Sequence, residues 1–454
     1  MGPDNIPNWF LRDFAFALSE PICHLFNSSI QSGLVPRIWK MANVVMLPKS
    51  HPPTSIETDL RPISLTPTLS KILEAFIGRW MLEEISSKFD DHQFGAVKGR
   101  STTHELVNIL HICHQAADHQ QVTRAVFVDF AKAFDRVDHH TVLNKMDALG
   151  VQPFIIRWMH SFLLDRRQRV KINNIASNWT TLNGGMPQGT WLGPYIFLIH
   201  INDLQTTLPA FKFIDDVTVI EVIDSIASSQ MQTSVNEIAK WSTDNHMNIN
   251  TSKTKEMIID FARSSQSVIT AITTADDCPI ERVSSFKLLG ITLSNDLRWS
   301  CHVRQIYAKA NKRLHFLKLL KRSAMTTDEL LHYYKTVIRP VIEYACPVWQ
   351  SSLTVDELRR LEAIQKRAIM IISGANDYEF YCSLYDLEQV NTRLDTLTRN
   401  FYAKILQPND CLHKLLPRRE LEHVQKLRTF KNFDLFCRSS RFQNSFLPYA
   451  FRKY

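Results

Sequence analysis

A chain of 454 residues that is 44% hydrophobic and 22% charged has ample apolar material for a core, which excludes bulk disorder. Lys and Arg number 53 against 45 Asp and Glu, a net charge of +8, which excludes an acidic ion-buffering surface and suits a polyanionic partner. The excess is uneven, because residues 301–454 carry +11 and residues 1–300 carry −3.

The eight cysteines are scattered and form no CxxC pair, so zinc knuckles, dithiol redox motifs and a disulfide scaffold are not expected. His111, Cys113, His114 and His119 cluster in sequence, but their spacing lacks the paired pattern of a zinc site and is read as structural. The longest apolar runs, such as 195–199, fall short of the roughly 20 residues a membrane span needs. The N-terminus shows no secretory pattern. An intracellular protein, nuclear or cytoplasmic, with reduced thiols is the expectation.

In chain order, residues 9–35 show helical spacing that ends on Gly33 before Pro36. A strand at 43–47 leads into a Pro-rich loop, 48–62, and a helix follows at 72–85. Residues 123–130, TRAVFVDF, are β-branched and aromatic and read as a buried strand ending in an aspartate. Helices are expected at 142–149 and 154–164, then a hairpin at 168–182 with Asn173 and Asn174 at its turn. NGGMPQG precedes the apolar run TWLGPYIFLIHINDL, and FKFIDDVTVIEV reads as two short strands with Asp215 and Asp216 at their junction. A helix at 225–247, a strand at 254–261 and a hairpin at 283–293 complete a mixed α/β region reaching to about 295. Helical, basic sequence follows, ending in the tail TFKNFDLFCRSSRFQNSFLPYAFRKY.

The chemistry is expected where these strands end. If the strand carrying Asp129 neighbours the hairpin carrying Asp215 and Asp216, three carboxylates converge. Like charges within about 4–6 Å raise one another's pKa, and a divalent cation relieves the conflict. Oxygen-only ligation favours Mg2+, and two such ions suit a phosphoryl displacement. Taken singly, each aspartate also reads as a turn or cap residue.

Several segments together resemble one family. VFVDFAKAFDRVDH (127–140), GGMPQGTWLGPYIFLIHINDL (184–204) and KFIDDVTVI (212–220) look like the A, B and C motifs of reverse transcriptases, nearest to non-LTR retrotransposon enzymes of the LINE and jockey type. LRPISLT (60–66), QFGAVKGRSTTHEL (93–106), NINTSKTK (248–255), FKLLGITLSNDLRW (286–299), YKTVIRPVIEYACPVW (334–349) and NSFLPYAFRKY are similar to further segments of that family, in its order.

The resemblance implies an α+β right-hand polymerase. Its parts would be an N-terminal extension and fingers (1–122), a palm with an antiparallel sheet (123–295), a helical thumb (296–375) and a helical basic C-terminal region (376–454). It implies an RNA-directed DNA polymerase that extends a primer 3′-OH with dNTPs. The expected partners are an RNA template and a DNA primer or target, and the expected cofactor is two Mg2+ ions, with Mn2+ as an alternative.

Asp129, Asp215 and Asp216 would hold the metals, with the backbone carbonyl of Phe130 as a further ligand. Phe134 would be a steric gate against 2′-hydroxyls, though its type alone reads as a core aromatic. Arg61 and Lys49 would hold the triphosphate. Gln188 and Gly189 would border the nascent base pair, and Lys253 would be a general acid for the leaving group or else a solvated lysine. Arg166, Arg167, Arg169 and Lys171 form a basic hairpin that either grips a nucleic-acid backbone or protects a sheet edge. Lys309, Lys312, Arg313, Lys318, Lys321 and Arg322 form a basic thumb surface.

Three departures stand out. Ile214 replaces the family's alanine before the aspartate pair, Ala96 and Val97 replace an aromatic and an arginine, and Trp191 is expected beside the nucleotide pocket. They imply reduced activity, and the alternative is a catalytically impaired remnant that only binds nucleic acid. The chain is also expected to be truncated, with no endonuclease ahead of the polymerase.

Overall fold

A computed structural model of the chain describes residues 2–49, 52–173, 175–223, 229–262, 270–274, 278–416 and 437–454. The segment expected as one N-terminal helix forms two, α1 (Asn8–Asp13) and α2 (Ala15–Ser32). Phe14, at φ −103° and ψ 17°, interrupts them. Gly33, at φ 67°, closes α2 in the left-handed conformation that glycine adopts without a Cβ clash.

β1 (Met41–Pro48) is followed by a stretch that is less of a loop than its prolines suggest. The Asp59 carboxylate accepts from the Thr54 N–H at 2.8 Å and hydroxyl at 2.7 Å. This closes a turn around α3 (Ile56–Asp59), and β2 (Leu60–Leu65) then pairs antiparallel with β1. Next come α4 (Thr68–Ile85), α5 (Thr102–Asp118), β3 (Val122–Val128), α6 (His139–Ala148) and α7 (Pro153–Leu163). The expected hairpin appears as β4 (Arg167–Ile172), β5 (Ile175–Ala176) and β6 (Thr180–Thr181); Asn174, at its turn, lies outside the described residues. β4 also pairs in parallel with β1, Met41 opposite Arg167, so the first sheet runs β2-β1-β4-β5 with β6 on β4.

After α8 (Gly193–Ile201) come β7 (Ala210–Phe213), β8 (Asp216–Ile223), α9 (Met231–Asp244), β9 (Lys255–Asp260) and β10 (Glu281–Arg282). The second sheet has the order β10-β9-β3-β8-β7, antiparallel except for β10 on β9. The helix expected from 225 begins at 231, after Glu221 accepts from the Ser229 hydroxyl (2.7 Å) and the Gln230 N–H (2.5 Å); residues 225–228 lie outside the described set.

All seven residues of β3 are buried, because both faces of this sheet are covered. Ala125 and Phe127 face a core shared with α5 and the C-terminal helices, whereas Val126 and Val128 face a second core with α6, α7 and α8. Each fully buried aliphatic or aromatic side chain of this kind contributes about 1.5–3 kcal/mol. Arg124, in the same strand, is also buried; its guanidinium donates to Glu256 (2.5 Å), the Thr270 carbonyl (2.6 Å) and the Ser229 hydroxyl (3.1 Å).

The hairpin β11 (Ser285–Leu288) and β12 (Ile291–Ser294) stands apart as a two-stranded sheet. Helices follow: α10 (Ser300–Arg322), α11 (Thr327–Tyr333), a π-helical turn (Tyr334–Ile338), α12 (Arg339–Glu343), α13 (Cys346–Trp349), α14 (Val355–Ser373), α15 (Tyr378–Leu384) and α16 (Val390–Ile405). Thr326 with Glu329 and Thr354 with Glu357 form capping boxes at the starts of α11 and α14. The first part of the aromatic, basic tail, 429–436, falls within 417–436, outside the described residues. Its end forms α17 (Ser440–Gln443) and α18 (Phe446–Lys453), tied to α5 where Asp118 accepts from the N–H groups of Arg438 (2.9 Å) and Ser439 (2.6 Å). Among the described residues no helix is long and apolar enough to cross a membrane.

Candidate active site

β3 and β8 are neighbours, with Val128 opposite Val217. One further step along both strands sets Asp129 abreast of Asp216, with Asp215 in the turn between β7 and β8. That turn has two residues, and its first, Ile214, has φ 60°. A tight hairpin needs positive φ there, but a left-handed L-residue costs roughly 1–2 kcal/mol.

The neighbouring segment 92–95 holds the turn. Gln93 is fully buried, and its Oε1 accepts from the N–H of Ile214 at 3.2 Å and of Gly95 at 2.8 Å. The Phe94 N–H donates to the Lys212 carbonyl (2.7 Å), and the Lys212 N–H donates to the His92 carbonyl (2.8 Å). Gly95 is needed for closeness, since a Cβ there would fall 2.5 Å from the Ile214 nitrogen. Beneath, the buried Lys212 ammonium pairs with Asp90 at 2.6 Å and donates to the Leu204 carbonyl at 2.8 Å.

The electrostatics fit a hard cation. Oδ2 of Asp129 is buried without a hydrogen-bond partner among the described residues, and the Lys253 ammonium stands 3.6 Å away, an ion pair too long for a hydrogen bond. Burial raises the Asp215 carboxyl above its ordinary range, and the charge of Asp129 adds to this. Asp216 stays open to the cleft, yet the protein around it, then Asp215 and Asp129, push its carboxyl up to about 6. A partly buried carboxylate set that resists full ionisation and keeps an orphaned oxygen is suited to a divalent metal. The chain crossing after β3 hydrogen-bonds through the Asp129 carbonyl and the Ala131 N–H, to Asn250 (2.7 Å) and Asn248 (2.8 Å), so these bonds do not engage the Phe130 carbonyl. Glu105, on α5, is a fourth acid; burial and the charge of Asp216 raise its pKa well above the ordinary range. Sequence reading assigned no role to Gln93 or Glu105, although polar residues at positions flanked by core residues were the available signal.

A second group of expected residues meets where the first sheet approaches. Ser64 of β2 donates its N–H to the Gln188 carbonyl at 2.7 Å, and a Cβ on Gly189 (φ 119°) would fall 2.8 Å from the Ser64 carbonyl oxygen. Arg61, exposed on β2, lies near enough to Asp215 to favour its ionised form. Lys49 and the Gln188 side chain act likewise on Asp135, whose carboxyl burial raises. Phe134 stacks on Phe197, ring centroids 5.0 Å apart, and its carbonyl accepts from the Met186 N–H at 2.7 Å. On the other side of the carboxylates lies an open cavity of about 360 Å3 lined by Asp129, Asp216, Lys253, Lys255, Phe286 and Leu289.

The other expected residues differ in their surroundings. Arg166 is buried, donates to the Phe162 carbonyl (2.9 Å) and stacks on the Phe162 ring, so it cannot grip a ligand backbone. Arg169 is engaged with Asn43 (2.8 Å) and the Trp179 ring, Arg167 is half-buried, and Lys171 is exposed. On α10, Lys309 and Lys312 are exposed, whereas Arg313 donates to the Val337 carbonyl and Lys321 to the Ile372 carbonyl. The Trp191 ring covers Gly78 of α4, where a Cβ would fall 2.0 Å from it, and its backbone N–H donates to Glu74 at 2.8 Å. Ile214, Ala96 and Val97 all pack against the second core. His114 is buried and His111 half-buried in α5, where desolvation lowers the pKa of His111 to about 4 and of His114 to about 3.

The sequence pattern of the family described as reverse transcriptase (RNA-dependent DNA polymerase) matches residues 47–293. The chain is 26% identical over 446 residues to a probable RNA-directed DNA polymerase from transposon BS of Drosophila melanogaster, covering 94% of this chain and 49% of that protein. It is 25% identical over 447 residues to the RNA-directed DNA polymerase from mobile element jockey of the same species, covering 91% and 47%. The chain thus spans about half the length of these curated relatives. Among solved structures, apo telomerase from Candida tropicalis is similar at 10% identity and a TM-score of 0.44, covering 88% of this chain and 73% of that one. With more than half its length matched by the family's pattern, and the carboxylates of that matched region gathered on neighbouring strands, this chain belongs to the reverse transcriptase family.

Proposed function

We propose that the protein is an RNA-directed DNA polymerase that extends a DNA primer on an RNA template. The observation that carries this reading is the placement of Asp129 abreast of Asp216, with Asp215 in the adjoining turn. In the reaction, the primer 3′-hydroxyl gives its proton to solvent water and its oxygen bonds to the α-phosphorus of a dNTP. The bond from that phosphorus to the β-bridging oxygen breaks, and pyrophosphate leaves.

Asp129, Asp215 and Asp216, with the Phe130 carbonyl, would hold two Mg2+ ions. Bound there, divalent cations supply positive charge to the attacking and leaving oxygens. Arg61 and Lys49 orient the triphosphate through charge-assisted hydrogen bonds. Phe134, backed by Phe197, presents a fixed aromatic wall that excludes a 2′-hydroxyl. Gln188 and Gly189 shape the floor under the new base pair. Lys253, exposed and within reach of Asp129, delivers a proton towards the leaving pyrophosphate. We assign residues 1–122 to an extension and fingers, 123–295 to the palm, 296–375 to the thumb and 376–454 to the C-terminal region. The exposed Lys309 and Lys312 of α10 face the template–primer, with Lys171 as a further contact.

The reading of an impaired remnant rested on Ile214 and Trp191 spoiling the pocket and on Val97 standing where the family has a contacting arginine. The packing of Ile214 and Trp191 against protein favours the enzyme instead. Primer extension on matched RNA and DNA templates, with and without Mg2+, tests the proposal. Mg2+-dependent extension on RNA, lost in Asp215→Asn, is expected; a folded wild-type protein that incorporates no dNTP overturns it.

A further inference from the structure

His104, in the first turn of α5, and Asp410 and Cys411, in the turn after α16, lie about 306 positions apart in the chain and meet in the fold. The His104 Nε2 stands 3.3 Å from Asp410 Oδ2, and the Cys411 sulfur completes a triangle in which every ligand atom lies within 4.8 Å of the others. Among the described residues this is the one grouping of three such ligand atoms. From these three residues we infer a Zn2+ site that joins α5 to the C-terminal helices.

The surroundings are those of a prepared site. His104 is buried, and its Nδ1 hydrogen-bonds to the Ser101 hydroxyl at 2.7 Å. That contact suits an Nδ1–H donor and leaves the Nε2 lone pair aimed at Asp410; an outer partner of this kind fixes the ring of a metal-binding histidine. The Phe401 ring, 4.9 Å away, packs edge-on against the imidazole. Asp410 divides its oxygens: Oδ1 accepts from the Leu412 N–H at 2.9 Å, and Oδ2 faces His104. Bonds from Asp410 N–H to the Gln407 carbonyl (3.0 Å) and from His413 N–H to the Asp410 carbonyl (3.1 Å) hold the turn that sets Asp410 and Cys411 side by side. Two nearby cationic or basic groups are engaged elsewhere: Arg100 donates to the carbonyls of Asp90, Asp91 and Gln93, and His413 bonds the Ile405 carbonyl.

The ion follows from the ligands. Zinc–nitrogen and zinc–oxygen bonds of about 2.0–2.2 Å put tetrahedral ligand atoms roughly 3.3–3.6 Å apart, which the His104–Asp410 separation already meets. A thiolate disfavours Mg2+ and Ca2+ and favours Zn2+. A plain His–Asp hydrogen bond accounts for two of the residues but needs no thiol at the third corner. Three protein ligands leave the fourth position to water. A metal here closes a loop of about three hundred residues, and its binding free energy adds to folding. This inference does not depend on the polymerase reading.

Cobalt substitution of the full chain tests it. Metal-free protein titrated with Co2+ is expected to develop a near-ultraviolet thiolate-to-cobalt band that saturates at about one equivalent. Zn2+ should abolish that band and raise the melting temperature. Cys411→Ser removes the band, Cys23→Ser, at an exposed thiol, keeps it, and Ser101→Ala weakens binding roughly 10–100-fold. A wild-type protein without the band at one equivalent, or a Cys411→Ser protein that keeps it, overturns the site.

Discussion

The side-chain oxygen of Gln93 accepts the backbone N–H of Ile214 at 3.2 Å, so a buried amide from the segment before α5 fixes the turn that carries Asp215. The same oxygen accepts the Gly95 N–H, and the two bonds compensate the left-handed backbone that Ile214 adopts. The position of Asp215 and Asp216 is therefore set partly from outside their own hairpin.

Gln93→Leu keeps the volume and removes the acceptor, leaving two N–H groups without it at about 1–3 kcal/mol each. We expect a lower melting temperature and a fall in kcat of at least tenfold, with KM for dNTP changed much less. Single-turnover primer extension alongside a thermal melt checks this, and an unchanged kcat would show that the turn is held without Gln93.

Ile214→Ala shortens a side chain that packs towards Gly95 and the second core. The deletion costs about 1–3 kcal/mol of stability through lost burial and leaves extension within about threefold of wild type. A large gain in extension would mean that Ile214 obstructs the primer end after all.

Asp216, with its carboxyl at about 6 in the folded protein, lies above the unfolded value of roughly 3.9. Between these values the metal-free folded state holds the extra proton, so this group's contribution to stability declines as pH rises from about 4 to about 6 and is level beyond. Divalent cations compete with that proton. The acid limb of Mg2+-dependent extension is expected near pH 6 and should move to lower pH as Mg2+ is raised. Asp215→Asn, expected to abolish extension, should raise the melting temperature of the metal-free protein at neutral pH. A limb that ignores Mg2+ concentration would count against proton–metal competition.

Lys312 and Arg313 are adjacent on α10 but differ in partners, since Arg313 donates to the Val337 carbonyl and Lys312 is exposed. Lys312→Ala should weaken RNA–DNA hybrid binding and reduce the salt slope by about 1 without moving the melting temperature. Arg313→Ala should lower the melting temperature. Filter binding across a salt series, paired with calorimetry, separates the two; equal effects in both assays would remove the distinction.

The placement of Asp129 at the end of a buried β-branched strand, and of Asp215 and Asp216 between two short strands, was legible in the sequence because both patterns are local. The order of the motifs likewise carried the family and the mixed α/β architecture. The roles of Gln93 and Glu105, the burial of Arg166, the packing of Trp191 over Gly78 and the meeting of His104 with Cys411 were not legible. Each depends on packing between segments far apart in the chain, as does the parallel pairing of β1 with β4. Sequence alone determined which side chains could do the chemistry, through residue type and period; tertiary structure decided which of them meet, because burial and hydrogen bonding across long loops depend on neighbours that no local pattern specifies.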